Sequence, residues 1–347
     1  MDKSKLVWID ALRVLATFGV IMIHVSYPIV YQYGRISSYD WFTANMYDSL
    51  ARFCVPIFLM VSGALILPKT YDNMGVYLKK RVIRIIYPFL FWSIIYIIKE
   101  GWLAFQNGAY MTVNELFIFI FEKLKNGASF HLWYVYMIIG LYLFFPVIGR
   151  WINNSNKYEI RYFLGIWLIA TLAGAPLIKN VFPNLNMIYF SGYIGYPVLG
   201  YYLNRETTFI FVSKKVNCLL LILAGIAITI FGNFFATKFI GDFNDDIFNN
   251  YLRPNVIFVS VGIFMLFRNF IKFDSGTHPV ILFFSKYSYG TYLVHMLVLW
   301  GLSLAGFSYA FINPLIGIPV LCLLCLIIST VIIWIVNKLP FGKYISG

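Results

Sequence analysis

The chain has 347 residues, of which 61% are hydrophobic (Tyr, Trp and Cys included), 20% aromatic and 12% charged. Soluble domains carry about a quarter charged residues, so a solvated surface of ordinary extent is excluded and an integral membrane protein is predicted. The net charge of +13 does not imply nucleic acid as a partner, because the basic residues sit in short loops between apolar runs instead of on one solvated face.

Apolar runs of roughly 20 residues, the length that crosses a bilayer core, recur from end to end. No hydrophilic block is large enough to fold separately. The prediction is a single all-α membrane-embedded domain over 1–347, a bundle of about ten transmembrane helices. They are placed near 7–30, 46–67, 83–100, 131–150, 161–178, 187–203, 217–236, 252–270, 280–303 and 314–337. The stretch 113–125 is too short and too charged to span and is read as an interfacial or re-entrant helix. Alternate loops then separate the positive charge. One side holds Lys3, Lys5, Lys79, Lys80, Arg81, Arg84, Lys214, Lys215, Lys338 and others, while the opposite side is poorer in cations and carries Asp242, Asp245 and Asp246. Because Lys and Arg mark the cytoplasmic face, a multi-pass plasma-membrane protein with both termini in the cytoplasm is expected. Cys54, Cys218, Cys322 and Cys325 all lie in apolar runs, which points to neither a disulfide framework nor a metal site.

Charged groups inside a bilayer normally face a bundle interior, a watery cavity or a partner. In the first span these are Asp10, Arg13 and His24. At about 100° per residue, the step from Arg13 to His24 returns to within about 20° of its starting direction, and Asp10 lies about 40° away. One stripe therefore carries all three, with His24 roughly 16 Å along the axis from Arg13. A headgroup-anchoring Asp10–Arg13 pair and a histidine satisfied by a backbone carbonyl would give the same residues. The alignment favours a functional His24, which takes and returns a proton near neutral pH, and leaves Asp10 and Arg13 open between the two readings.

In the second span, Arg52 precedes Pro56 and Ser62-Gly63, which loosen the helix. It reads equally as a functional group or as a snorkelling arginine. Arg81 and Arg84 stand one helical turn apart at the start of the third span. Two forked guanidiniums so placed can grip phosphates, although on spacing alone a positive flank explains them better. His131 and Trp133 open the fourth span as either an aromatic belt or a carbohydrate surface. The ninth span runs Ser285, Lys286, Ser288, Tyr292, His295, a pattern that helix packing through hydroxyls explains somewhat better than a site does.

Taken in this order on ten spans, these segments resemble acyltransferase family 3, whose members are multi-spanning membrane acyltransferases acting on cell-surface glycans and related acceptors. The resemblance rests on Asp10–Arg13–His24, on Arg52 with Pro56, Phe58 and Ser62-Gly63, on Arg81 and Arg84, on His131-Leu132-Trp133, and on Ser288, Tyr292, Leu293 and His295. It implies acyl transfer from cytosolic acyl-coenzyme A, most commonly acetyl-coenzyme A, used as a co-substrate without any tightly bound cofactor or metal. It also implies that His24 is catalytic and that Arg81 and Arg84 serve the donor. The resulting expectation makes His24 a general base, with Arg13 and Asp10 assisting it, and gives Arg52, His131, Trp133 and His295 to a glycan acceptor. The alternative from another class is a transporter or flippase of a glycan or small metabolite.

Overall fold

The computed structural model describes residues 7–70, 73–176, 192–206, 210–273 and 278–347. The described residues form helices and no strand, as a chain in lipid must unless it closes a barrel, since each backbone polar group needs an internal partner there. The helices are α1 (Val7–Val30), α2 (Ser38–Ala51), α3 (Cys54–Ile66), α4 (Met74–Gln106), α5 (Val113–Asn126), α6 (Trp133–Asn154) and α7 (Lys157–Ala173). They continue with α8 (Gly195–Arg205), α9 (Lys215–Ile240), the single turn α10 (Asp245–Phe248), α11 (Pro254–Asn269), α12 (His278–Leu304) and α13 (Pro314–Lys338).

Six helical stretches among the described residues have the length and hydropathy of a bilayer crossing, not ten: Val7–Val30, Ser38–Ile66, Met74–Gln106, Phe130–Asn154, Lys215–Ile240 and Pro314–Lys338. The other four expected spans fall short for identifiable reasons. The helices α7, α8 and α11 have 17, 11 and 16 residues. Parts of the spans expected at 161–178 and 187–203 lie outside the described residues. Helix α12 is 27 residues long, but Lys286, His295 and its many hydroxyls dilute its hydropathy.

Local chemistry sets the helix boundaries. Ser37 opens α2 by accepting the Asp40 N–H at 3.1 Å, and Asn73 opens α4 by accepting that of Val76 at 3.1 Å. Capping pushes both starts well ahead of the apolar runs, so Arg81 and Arg84 fall inside α4 and not at its mouth. Between α2 and α3 the helix breaks at Arg52 and Phe53. Pro56 lacks the N–H that would bond the Arg52 carbonyl, and regular bonding resumes with Ile57 donating to Phe53 at 2.9 Å. The amphipathic α5 carries a reciprocal Thr112–Glu115 cap and lies against α4, where Lys123 reaches Glu100 at 3.7 Å.

Helix α1 is the hub, touching α2, α3, α11, α12 and α13. Leu12, Ala16 and Ile21 on it are fully buried. Helices α3 and α8 meet backbone to backbone, because a Cβ on Gly63 would sit 2.0 Å from the Pro197 carbonyl oxygen and one on Gly200 would sit 2.1 Å from that of Met60. Small residues are how membrane helices achieve such approach. Around this core the long helices turn large apolar groups outward, among them Ile98, Leu223, Phe235 and Leu323. In water such a surface would aggregate; facing hydrocarbon it costs nothing.

Candidate active site

Two cavities and a constriction between them lie along α1. The first, of about 240 Å³, is lined by Arg13, Arg81, Arg84, Lys286, Ser62 and Tyr289, with other residues of α3, α6 and α12. We term it the basic chamber. Neither Arg81, Arg84 nor Lys286 pairs with a carboxylate among the described residues. Arg13 contacts Asp10 at 3.2 Å, and the Ser285 hydroxyl donates to the same Asp10 oxygen at 2.6 Å. Asp10 is thus held below the chamber wall, and it orients Arg13 instead of facing the cavity.

The second cavity, of about 380 Å³, is lined by Tyr27, Arg52, Trp133, Tyr193, Asp245, Asn249 and Tyr251, and by His24 at its floor. We term it the aromatic chamber. Trp133 stacks on Tyr251 with ring centroids 5.9 Å apart and planes at 28°. Arg52 is 5% exposed, so it is not a snorkelling residue. Its Nε donates to Asp48 at 3.1 Å and its Nη2 to the same oxygen, which also accepts from Asn249 Nδ2 at 2.6 Å. Asn249 in turn accepts from Asn233 at 2.8 Å, and Asn233 donates to Asn45 at 3.0 Å. A buried polar network of this kind fixes the wall of the chamber, since each partner holds the next in one rotamer.

The constriction, about 30 Å³, is bounded by Phe58, Tyr134 and Tyr292, which also line the basic chamber, and by His24, Trp133 and Tyr251, which also line the aromatic one. His24 is half-buried at this waist. Its ring centroid lies 5.1 Å from that of His295 and 6.0 Å from that of His131, and those two are 5.0 Å apart. Phe130 closes over it edge-on at 5.1 Å.

The structure places His131 and His295 outside the aromatic chamber. His295 is fully buried and lines neither chamber nor the waist. Its Nδ1 lies 2.6 Å from the Tyr292 carbonyl oxygen. A carbonyl only accepts, so Nδ1 carries the proton and the neutral ring keeps its lone pair on Nε2. That Nε2 has no hydrogen-bond partner. His131 is 1% exposed and reaches only the waist. Its Nδ1 lies 3.0 Å from the Ser129 hydroxyl, and its Nε2 has no hydrogen-bond partner among the described residues. Both rings pack beside that of His24. Trp133, by contrast, does face the aromatic chamber.

Several residues with a place in the site were missed in the sequence. Asp48 stands four residues before Arg52, the spacing of a helical ion pair, and that signal was available. Asp245, Asn249 and Tyr251 belong to a polar run between α9 and α11 that reads as an ordinary loop. Chemically, the arrangement offers the His24 imidazole, with that of His131 beside it, at the junction of a cation-lined cavity and an aromatic, hydroxyl-rich one.

Comparison with known proteins adds to this geometry. The model of acyltransferase family 3, described as an acyltransferase domain, matches residues 6–334. YfiQ of Bacillus subtilis, assigned as a membrane-bound acyltransferase, is 23% identical over 97% of this chain and 92% of its own. The succinoglycan biosynthesis protein ExoH of Rhizobium meliloti is 28% identical over a shorter region, 30% of this chain and 31% of its own. No solved structure matches the chain significantly.

Proposed function

The chain belongs to acyltransferase family 3, and from that premise we propose that it moves an acyl group, acetyl in the simplest case, from cytosolic acyl-coenzyme A to a hydroxyl of a surface or lipid-linked glycan. One observation carries the reading: His24 stands at a waist where a cavity lined by Arg81 and Arg84, without carboxylate partners among the described residues, meets a cavity lined by aromatic and polar groups. In this reading the donor phosphates bind Arg81 and Arg84 and its thioester arm points along the basic chamber toward the waist. Arg13 neutralises charge on the donor, and Asp10 and Ser285 hold Arg13 in place. The acceptor hydroxyl enters from the aromatic chamber. His24 takes its proton as the oxygen attacks the thioester carbonyl, the C–O bond forms, the C–S bond breaks, and the proton passes to the departing sulfur to give free coenzyme A thiol. General base catalysis of this kind is worth about 10²–10⁴ in rate. The glycan acceptor draws support from the name of ExoH, a succinoglycan biosynthesis protein. The distribution of Lys and Arg supports both termini in the cytoplasm of a plasma-membrane protein, with the shorter helices completing some ten crossings.

The test uses purified protein in nanodiscs, acetyl-coenzyme A and an extract of surface glycans, with thiol release as the readout. His24→Ala should lose about 10²–10⁴ in turnover with donor binding retained, whereas Arg81→Gln and Arg84→Gln should each raise the donor KM by roughly tenfold. Full turnover in the His24 variant refutes the mechanism. Glycan movement across sealed vesicles without donor consumption would instead establish transport.

A further inference from the structure

The charges around the aromatic chamber are not balanced, and the imbalance bears on what the chamber accepts. Arg52 brings a positive charge, but Asp48 behind it cancels that charge and occupies two of its donor nitrogens. Its Nη1 is turned to the Asn249 carbonyl at 3.5 Å. Asp246 is answered by Arg253 at 3.2 Å, whose remaining donors go to the Asp246 and Gly174 carbonyls at 2.8 and 2.9 Å. Asp245 is different. It accepts a hydrogen bond from the Tyr27 hydroxyl at 3.1 Å and has no cationic partner among the described residues. The lining therefore keeps one uncompensated carboxylate, in the same cavity as an aromatic platform made by the Trp133–Tyr251 stack with Tyr193 at 5.9 Å from Trp133.

We propose that the aromatic chamber is a subsite for an uncharged sugar residue, stacked on Trp133 and hydrogen-bonded through a hydroxyl to the Asp245 carboxylate, and that it rejects sugars bearing a carboxylate, sulfate or phosphate. This deepens the acyl-transfer reading and rests on it for the identity of the acceptor. A carboxylate with spare lone pairs takes hydroxyl donors, which every neutral sugar has. A like charge brought into the same cleft as the half-buried Asp245 is repelled. Arg52 offers an anion no rescue, because its fork is already spent on Asp48. The volume of about 380 Å³ falls within the range of roughly 300–1,000 Å³ typical of small-molecule sites. Rejection of the wrong ligand by an unpaired charge is the usual means by which a polar site gains specificity.

The experiment separates this proposal from the transfer reaction. Binding is measured by calorimetry without donor, using protein in nanodiscs and two sets of tetrasaccharides: neutral ones built from glucose, galactose, N-acetylglucosamine or rhamnose, and matching ones built from glucuronate or galacturonate. At least one neutral sugar is expected to bind, with its uronate counterpart about tenfold weaker or worse. Asp245→Asn should shrink that gap to about threefold or less, and Asp245→Lys should reverse it. Trp133→Ala should weaken the neutral sugar by roughly tenfold. Uronates that bind as well as neutral sugars, or a neutral panel that does not bind at all, overturn the proposal. Thiol release is followed in parallel: neutral-sugar binding with no turnover on any acceptor sinks the transfer reading and leaves the subsite standing.

Discussion

Replacing Asp48 by Asn removes the charge that balances Arg52 while keeping size and shape nearly constant. The two side chains are 0% and 7% exposed, so water replaces nothing that is lost. One Asp48 oxygen receives two guanidinium contacts and the Asn249 amide. Removing one member of a buried pair costs about 3–5 kcal/mol, because the surviving charge stays desolvated. The exposed Glu122–Lys125 pair, 48% and 61% exposed, has water available to both partners and should cost less than about 1 kcal/mol when broken. Asp48→Leu combined with Arg52→Met removes both charges and should restore most of the lost stability, although the wall of the aromatic chamber is then altered. Reversible SDS unfolding in bicelles, run on wild type, each single variant and the double variant, gives the coupling energy, expected at about 2 kcal/mol or more. An Asp48→Asn protein within about 0.5 kcal/mol of wild type, the scatter of additive sites, would refute the reasoning that this ion pair is desolvated and mutually dependent.

Gly200→Ala should destabilise by at least about 1–3 kcal/mol, since its methyl meets the Met60 backbone and no side chain can move aside; an unchanged unfolding midpoint in the same assay would show that α3 and α8 do not pack this closely. Outside the spans, the Thr112 backbone N–H and hydroxyl hold the Glu115 carboxyl below its ordinary value of 4.5. A lowered folded-state value means that the cap contributes fully above the unfolded value and is lost as pH falls through the folded one. Amide exchange over 112–116, corrected for intrinsic rates, should therefore lose protection at acidic pH, and Glu115→Gln, which removes the titrating carboxyl, should lack that acid-dependent loss. Equal acid sensitivity in the variant would assign the change to another group.

Much of the first span was legible in the sequence because a helix converts spacing directly into direction. Arg13 and His24 lie on one stripe, and the structure turns Arg13 into the basic chamber and His24 to the waist. Arg81 and Arg84 likewise share one face by their spacing and one cavity by packing. The grouping of His24, His131 and His295 was not legible. They come from three elements more than a hundred residues apart, and no local pattern encodes which helix faces meet. Only six of the ten expected spans meet both conditions of a crossing among the described residues, because a hydropathy ruler counts apolar residues without asking whether the helix is long enough. Helix α11, with its 16 residues, shows the difference. Asp48 was readable and was passed over, as a lone acid in an apolar run is easily taken for a helix end.

The waist beside His24 has one further consequence. Its volume of about 30 Å³ is a small fraction of the roughly 240 and 380 Å³ of the chambers it joins. The two chambers share no lining residue with one another, and each shares residues with the waist. A ligand in one therefore touches a ligand in the other only past Phe58, Tyr134, Tyr292 and Trp133. In the proposed reaction, donor and acceptor meet at that neck without either having to traverse the molecule.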